Sequence, residues 1–353
     1  MIDGVFLARF QFQGQFMLKL SILDQSTAGS GKAQDQSIRD TIALARHCEN
    51  LGYSRFWVSE HHNHPTIVGT APEIIMAAIA QVTDTIRIGS AGIMLPHYAP
   101  LKVAEQFRVL EAIAPGRIDL GLGRAPGSDR ETAYALNPNA GQDAENFPAN
   151  VRDLMAWVSG RSLVDGHPHA ALRANPKSST SPEVWMLGTS DYGAQVAAHF
   201  GLPYCFAHFI TDGFGAGRAI DLYRESYQPS ERHPRPLASL CVWALAAETE
   251  EQAEFLFTSR AHMKLSRDRG RPYSIDSPDE IAGYEYSEND LAYLADLRKN
   301  ALIGTAAGVA EKLRALAEKF SMDEIVVLTW TYDQTDRIRS YDLLAREFQL
   351  TKR

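Results

Sequence analysis

Cysteine, long apolar runs and basic charge are all scarce in this sequence of 353 residues. Its three cysteines, Cys48, Cys205 and Cys241, are odd in number and far apart, so they predict neither a disulfide framework nor a zinc site built from cysteine. Three widely spaced cysteines favour a reduced, cytoplasmic setting. No apolar run is long enough to span a bilayer, which disfavours a membrane protein. The 43 acidic residues outnumber the 35 basic ones and give a net charge of −8, which disfavours a nucleic-acid-binding protein.

The first 16 residues also lack something, namely the features of a secretory signal peptide. They carry one basic residue, Arg9, and have neither a continuous apolar core nor a small-residue cleavage site. A strong strand pattern begins only at Met17. We therefore expect residues 1–16 to be an extension outside the fold, and 17–353 to form one domain.

Strand-like apolar runs alternate with amphipathic helical patterns along the chain. Eight such runs begin near Leu18, Phe56, Ile86, Ile118, Val184, Tyr204, Leu240 and Ile325. This alternation predicts a parallel sheet, and eight strands are the number that closes a (β/α)8 TIM barrel. The alternative is an open doubly wound sheet, but the Gly-x-Gly-x-x-Gly sequence expected after its first strand is absent. We predict the barrel, with insertions at about 147–182 and 267–300 that lie over its C-terminal mouth.

One helix start has a recognisable capping pattern. In the sequence Thr70-Ala71-Pro72-Glu73, threonine can cap the helix, proline suits the first turn, and the glutamate completes a capping box. We expect this helix to begin at about residue 70.

Two strand ends carry groups suited to a flat, phosphate-bearing ligand. The fourth strand ends in Gly121-Leu122-Gly123-Arg124, which offers bare glycine backbone beside a planar cation. The fifth ends in Gly188-Thr189-Ser190, which leads into a helix whose first N–H groups can hold an anion. Active sites of this fold lie at such strand ends. Each feature also has a plain alternative, since Arg124 could form a surface ion pair and Ser190 could serve only as a helix cap.

Several pieces of the sequence, in this order and spacing, resemble the bacterial luciferase-like family of flavin-dependent monooxygenases. They are residues 57–62, 88–96, 116–124, 187–190 with 200–203, and 303–305 before 309–313. The resemblance covers nearly the whole chain from Leu18. It implies a TIM-barrel enzyme that uses reduced FMN and molecular oxygen on a small-molecule substrate. It further implies a separate NAD(P)H:flavin reductase and a homodimer that forms through the helices beside the second and third strands.

The resemblance also implies residue roles. Arg124 and Ser190 match positions that hold the FMN phosphate, and Gly123, Gly188 and Thr189 adjoin them in the same two motifs. A guanidinium is apt because it can bind phosphate oxygens in a bidentate manner.

Ala91-Gly92 matches a bond that is a non-prolyl cis peptide under the flavin ring of family members. Close packing of small residues is the alternative for this pair. His61 matches the active-site histidine, whose near-neutral pKa suits proton transfer. The alternatives for His61 are a structural histidine or a metal ligand together with His62 and His64, and the interpretation adopted here includes no metal.

Some positions depart from the luciferases proper. Gly123 stands where those proteins carry a cysteine, and Ala125-Pro126 replaces a longer polar sequence. These departures weaken any expectation of light emission or of an aldehyde substrate. Two further hypotheses stay open, a deazaflavin-dependent hydride-transfer enzyme and a non-catalytic flavin-binding protein. No single motif encodes the organic substrate.

Overall fold

The computed structural model describes residues 18–125 and 127–352, and it contains a closed parallel barrel. The strands of that part of the chain are β1 (Lys19–Asp24), β2 (Arg55–Val58), β3 (Arg87–Met94), β4 (Ile118–Gly123), β5 (Glu183–Gly188), β6 (Tyr204–Phe206), β7 (Ala238–Ala247), β8 (Leu302–Thr305) and β9 (Glu324–Leu328). Strands β1 to β7 pair in chain order, and β9 pairs with both β7 and β1 to close the ring. The prediction of a (β/α)8 TIM barrel is therefore confirmed. The predicted extension, 1–16, lies outside the described residues.

Helices surround the barrel and cross its C-terminal end. Within the described ranges they are α1 (Gln34–Leu51), α2 (Pro72–Ala80), α3 (Pro100–Ile113), α4 (Arg130–Leu136), α5 (Ala140–Glu145), α6 (Phe147–Ser159), α7 (Asp191–His199), α8 (His208–Thr211), α9 (Ala216–Ser226), α10 (Glu250–Asp268), α11 (Pro278–Ile281), α12 (Glu288–Lys299), α13 (Ala306–Phe320) and α14 (Gln334–Glu347). None of these helices is both long enough and apolar enough to cross a bilayer.

Strand β8 was missed by the sequence analysis. It pairs in parallel with the end of β7, where Ile303 lies opposite Leu245 and Gly304 opposite Ala246. The predicted second insertion, 267–300, was expected to be a polar stretch, but it contains α11 and α12. Strand β8 and the one-turn helix α11 are too short to show a clear periodicity, so pattern alone could not find these two elements.

The predicted cap of α2 was also wrong. Ala71 occupies the N-cap position and no side chain caps the helix, while Pro72 is its first residue. The Glu73 carboxylate instead accepts a hydrogen bond from Gln106 Nε2 on α3, at 3.2 Å. Glu73 therefore joins α2 to α3 and does not take part in a capping box.

A buried ion cluster fills the N-terminal end of the barrel. The Arg55 guanidinium lies 2.8 Å from the Asp119 carboxylate, 2.9 Å from that of Glu183 and 3.0 Å from that of Glu324. Asp119 is fully buried and also accepts a hydrogen bond from Trp57 Nε1 at 2.9 Å. These mutually paired charges close this end, so a ligand has to enter from the opposite end, where the strands finish.

Candidate functional site

A cavity of about 590 Å³ lies at the C-terminal end of the barrel. That volume is in the range of small-molecule and cofactor sites. All eight residues predicted for the site line it, namely His61, Ala91, Gly92, Gly123, Arg124, Gly188, Thr189 and Ser190. The structure thus brings together residues from the ends of four strands, while their individual roles stay predictions.

The wall under the cavity is made by close backbone packing between β3 and β4. The Ala91–Gly92 peptide bond is cis. A Cβ atom on Gly92 would lie 2.8 Å from the carbonyl oxygen of Gly121. A Cβ atom on Gly121 would lie only 2.1 Å from the carbonyl oxygen of Ser90. The expectation that Gly121 offers open space is therefore wrong for this residue, because its missing side chain lets the two strands approach each other.

Arg124 follows β4 and lies on the rim of the cavity. Its guanidinium carbon is 4.3 Å from the centroid of the Tyr192 ring, and its Nε donates to the Ala144 carbonyl at 3.3 Å. Within ranges 18–125 and 127–352, no carboxylate pairs with it and its terminal nitrogens make no hydrogen bond. The described residues therefore offer no partner for the ion pair of that alternative, and among them the cation is held by ring stacking with its two terminal nitrogens available to an anion.

Ser190 is the N-cap of α7. Its Oγ accepts a hydrogen bond from the backbone N–H of Gly193 at 3.3 Å. The side chain therefore orders the first turn of the helix, whose remaining N–H groups and dipole favour a negative charge. Tyr192, which stacks with Arg124, belongs to this same first turn. The helix start and the arginine thus form one continuous rim.

His61 is largely buried beside the cavity. Its Nε2 lies 3.3 Å from Gln25 Nε2, and since an amide nitrogen can only donate, His61 Nε2 accepts. Burial lowers the pKa of His61 below its usual value, although a hydrogen bond to the Gly127 backbone opposes this shift. The imidazole is therefore neutral at pH 7 and has one nitrogen lone pair directed towards Gln25.

Glu60 positions its neighbours and does not line the cavity. Its fully buried carboxylate accepts from His62 Nε2 at 2.9 Å, from the Tyr98 hydroxyl at 2.8 Å and from the Met94 backbone N–H at 3.0 Å. These three bonds tie the loop after β2 to the end of β3. The next residue, His61, is thereby held against the cavity.

The histidines of this loop have separate partners. His64 Nδ1 accepts from the backbone N–H of Thr66 at 3.2 Å and of Ile67 at 2.9 Å. Burial lowers its pKa to about 4. No group of three histidine, cysteine, aspartate or glutamate side chains in the described part of the chain is arranged to hold a metal. The alternative of a zinc site shared by His61, His62 and His64 therefore finds no support.

Two cysteines lie deep in the same cavity. Cys205 on β6 and Cys241 on β7 are both buried and free. Burial raises the pKa of the Cys205 thiol to about 12 and that of Cys241 well above its usual value. Both thiols are therefore protonated at neutral pH, and neither is suited to act as a nucleophile.

Two contributors to the lining that the sequence analysis missed are aromatic. Tyr192 holds the arginine, and Trp57 lines the inner end of the cavity, where its ring lies 5.1 Å from that of Trp185. The position of Tyr192 two residues after the helix cap was the available signal. An aromatic ring there faces back over the N-terminus of the helix, since helical side chains lean in that direction.

Comparisons with known proteins identify the family of this chain. A family model described as luciferase-like monooxygenase matches residues 17–324. The N-acetyl-S-alkylcysteine monooxygenase of Bacillus subtilis is 35% identical, over 96% of this chain and 100% of that protein. The solved structure of apo-MsnO8 is 33% identical with a TM-score of 0.84, and the match covers 96% of this chain and 99% of that one.

A further likeness shows the fold alone. The oxygenating constituent of 3,6-diketocamphane monooxygenase of Pseudomonas putida, solved in complex with FMN, is 19% identical with a TM-score of 0.69, over 94% of this chain and 98% of that one. The resemblance inferred from the sequence motifs is confirmed by the family match and by relatives above 30% identity along the full barrel. The chain therefore belongs to the luciferase-like monooxygenase family.

Proposed function

We propose that this protein is an FMN-dependent monooxygenase that uses reduced flavin and molecular oxygen on a small organic substrate. One observation carries the proposal. In a chain of the luciferase-like monooxygenase family, an arginine that pairs with no carboxylate among the described residues lies beside a capped helix N-terminus on the rim of a large apolar cavity. That pair is suited to a phosphate, and the cavity behind it is suited to a flat ring.

The residues present fit FMN in shape and in polarity. The backbone of Gly92 and Gly123 leaves the wall beneath the rim free of long side chains. Within the described residues, Gln25 Oε1 is buried without a hydrogen-bond partner, although Gln25 lines the cavity. A buried acceptor of this kind is costly unless a ligand satisfies it, and a ring N–H could do so. FMN is the ligand of the Pseudomonas putida structure.

The phosphate would be held from two sides. Arg124 would donate from its terminal nitrogens, because its Nε and its ring-facing side already have partners. The first turn of α7 would donate backbone N–H groups, with Ser190 keeping that turn ordered. Stacking on Tyr192 would keep the arginine in place before the ligand arrives.

His61 would control a proton at the edge of the cavity. Bound reduced FMN would supply the electrons that activate molecular oxygen. The neutral His61 ring would accept or release a proton at Nε2, the atom that Gln25 contacts. Burial keeps this ring neutral near pH 7. The apolar lining around it would exclude water during turnover.

We also propose two protein partners. Since no dinucleotide-binding sequence follows the first strand, a separate NAD(P)H:flavin reductase would supply reduced FMN. A second copy of the chain would cover an apolar surface on α2 and α3, where Ile74 is 67% exposed, Val109 47% and Ile113 41%. Sedimentation of the wild type should give a dimer mass, and Ile74→Lys should shift it towards the monomer. A monomeric wild type would contradict the dimer.

An isotope experiment tests the proposed function. The protein would receive reduced FMN from a flavin reductase and NADH under ¹⁸O₂, with catalase present to remove free peroxide. The Bacillus subtilis relative is named for N-acetyl-S-alkylcysteine, so the first substrates to test are small thioethers. One labelled oxygen atom in the product, absent when the protein is omitted, is the expected result. Preferential binding of a deazaflavin, with no labelled product, would show that the proposed function is wrong.

A further inference from the structure

Helix α10 buries two cations that share a single carboxylate. The side chains of Arg260 and Lys264 are only 6% and 8% exposed, and they lie one helical turn apart. The Lys264 ammonium pairs with Asp212. The Arg260 guanidinium is 3.7 Å from the same carboxylate, which is too long for a hydrogen bond. Two buried positive charges therefore face one negative charge.

Arg260 is incompletely hydrogen-bonded and incompletely paired in charge. Its Nε is buried without a hydrogen-bond partner in the described part of the chain, and so is Nε1 of Trp243. The guanidinium carbon lies 4.4 Å from the centre of the Trp243 ring. Burial lowers the pKa of Arg260 to about 10 and also lowers the pKa of Lys264, so Asp212 does not offset the loss of water around the two cations. Burying charged groups that are not fully paired is unfavourable.

This cluster adjoins the large cavity. Trp243 lies two residues after Cys241 on β7, so both side chains point to the inside of the barrel. A small cavity of about 20 Å³ is lined by Arg260, Trp243 and Asp212. Phe209 lines both this small cavity and the large one. The small cavity has room for about one water-sized group, such as an oxygen of an anionic head group.

We propose that Arg260, with Trp243 beside it, binds the carboxylate of an organic-acid substrate whose other atoms extend past Phe209 into the large cavity. This inference rests on the proposed function. A carboxylate would supply the acceptors that Arg260 and Trp243 lack, and it would balance the second buried cation. The substrate class is thereby narrowed to small organic acids, in a protein whose net charge of −8 otherwise repels anions. The competing explanation is a structural ion pair with Asp212.

Binding of a charged and a neutral probe tests the proposal. The probes are N-acetyl-S-methyl-L-cysteine and its primary amide, which differ only in the charge of the head group. Calorimetric titration of the full chain, with and without FMN, should give at least about tenfold tighter binding of the acid. Arg260→Met should remove most of that difference. Arg298→Met, which removes an arginine paired with Glu254 at the surface, should leave it unchanged.

Two results would overturn the inference, namely equal binding of acid and amide, or no binding of the acid by the wild type. Failure of FMN to bind would count against the proposed function alone. The binding of the two probes is also compared without FMN, so this inference can still be judged in that case. The melting temperature distinguishes carboxylate binding by Arg260 from a purely structural role of this arginine. We expect Arg260→Met to melt at or above the wild-type temperature, since it removes an incompletely paired buried charge. A lower melting temperature together with unchanged affinity for the acid would show that the arginine is structural.

Discussion

The guanidinium of Arg124 stacks on the ring of Tyr192, with 4.3 Å between the guanidinium carbon and the ring centroid. The arginine follows β4 and the tyrosine belongs to the first turn of α7, so this contact joins two elements that lie far apart in the sequence. It fixes a cation beside the helix N-terminus that Ser190 caps. Groups held in their binding positions lose less conformational entropy when a ligand binds.

Ser190→Ala should affect both stability and FMN binding. Removing the cap should lower the free energy of unfolding by about 1 kcal/mol. A disordered first turn should also weaken FMN binding by about tenfold. Thr305 caps α13 in the same way, through the Gly308 N–H, so Thr305→Ala is a matched control. Equal FMN affinity of the two variants, measured by fluorescence titration, would contradict a phosphate role for this helix start.

His61→Gln should separate binding from turnover. The residue lies beside the cavity but outside the proposed phosphate rim, so FMN affinity should change by less than about twofold. Loss of a positioned proton donor or acceptor should lower the rate of product formation by about 100-fold. His47→Gln is the control, because His47 contacts Asp342 and does not line the cavity. Wild-type turnover by His61→Gln would remove this histidine from the mechanism.

His64 should make the protein less stable in mild acid. Its pKa falls from 6.5 to about 4 on folding, so the unfolded chain binds more protons between these values and stability decreases as the pH falls through this window. From pH 7 to pH 5 linkage gives at most about 2 kcal/mol, reduced to roughly 1 kcal/mol by partial exposure of the ring. Urea unfolding at both pH values should show a smaller decrease for His64→Gln. An identical decrease would contradict this origin.

Gly121→Ala and Gly123→Ala should differ sharply, although the two residues are neighbours on β4. A Cβ on Gly121 would lie 2.1 Å from the Ser90 carbonyl oxygen, which cannot move without shifting a strand. A Cβ on Gly123 would lie 3.0 Å from the flexible Met94 Sδ. We expect losses of about 3 kcal/mol and less than about 1 kcal/mol in urea unfolding. Similar losses would contradict the packing argument.

The barrel was predictable from sequence because its strands are buried on both faces and separated by amphipathic helices. Strand β8 was not, since Leu302–Thr305 is short and is specified by its contact with β7. The same limit explains the wrong cap at α2, where Glu73 bonds to a residue 33 positions away. Long-range partners of this kind leave no local pattern.

The residue types that line the site could be predicted from the sequence, whereas most contacts between them could not. Strand-end glycines, an arginine and a capping serine can be identified in the sequence, and the structure brings them to one cavity. Neither the stacking of Arg124 on Tyr192 nor the packing of Gly121 against Ser90 follows from residue type. The incomplete pairing of Arg260 was equally hidden, because α10 and the loop that carries Asp212 meet only in the folded chain.

Titration of FMN into the wild type and into Arg124→Ala tests the central claim most directly. The dissociation constant should rise by about 10- to 100-fold in the variant, as expected for a charge-assisted hydrogen bond worth about 1.5–3 kcal/mol. Arg161→Ala, which removes an exposed arginine paired with Glu231, should bind FMN like the wild type. Equal affinity of Arg124→Ala and the wild type would contradict the assignment of the phosphate to this rim.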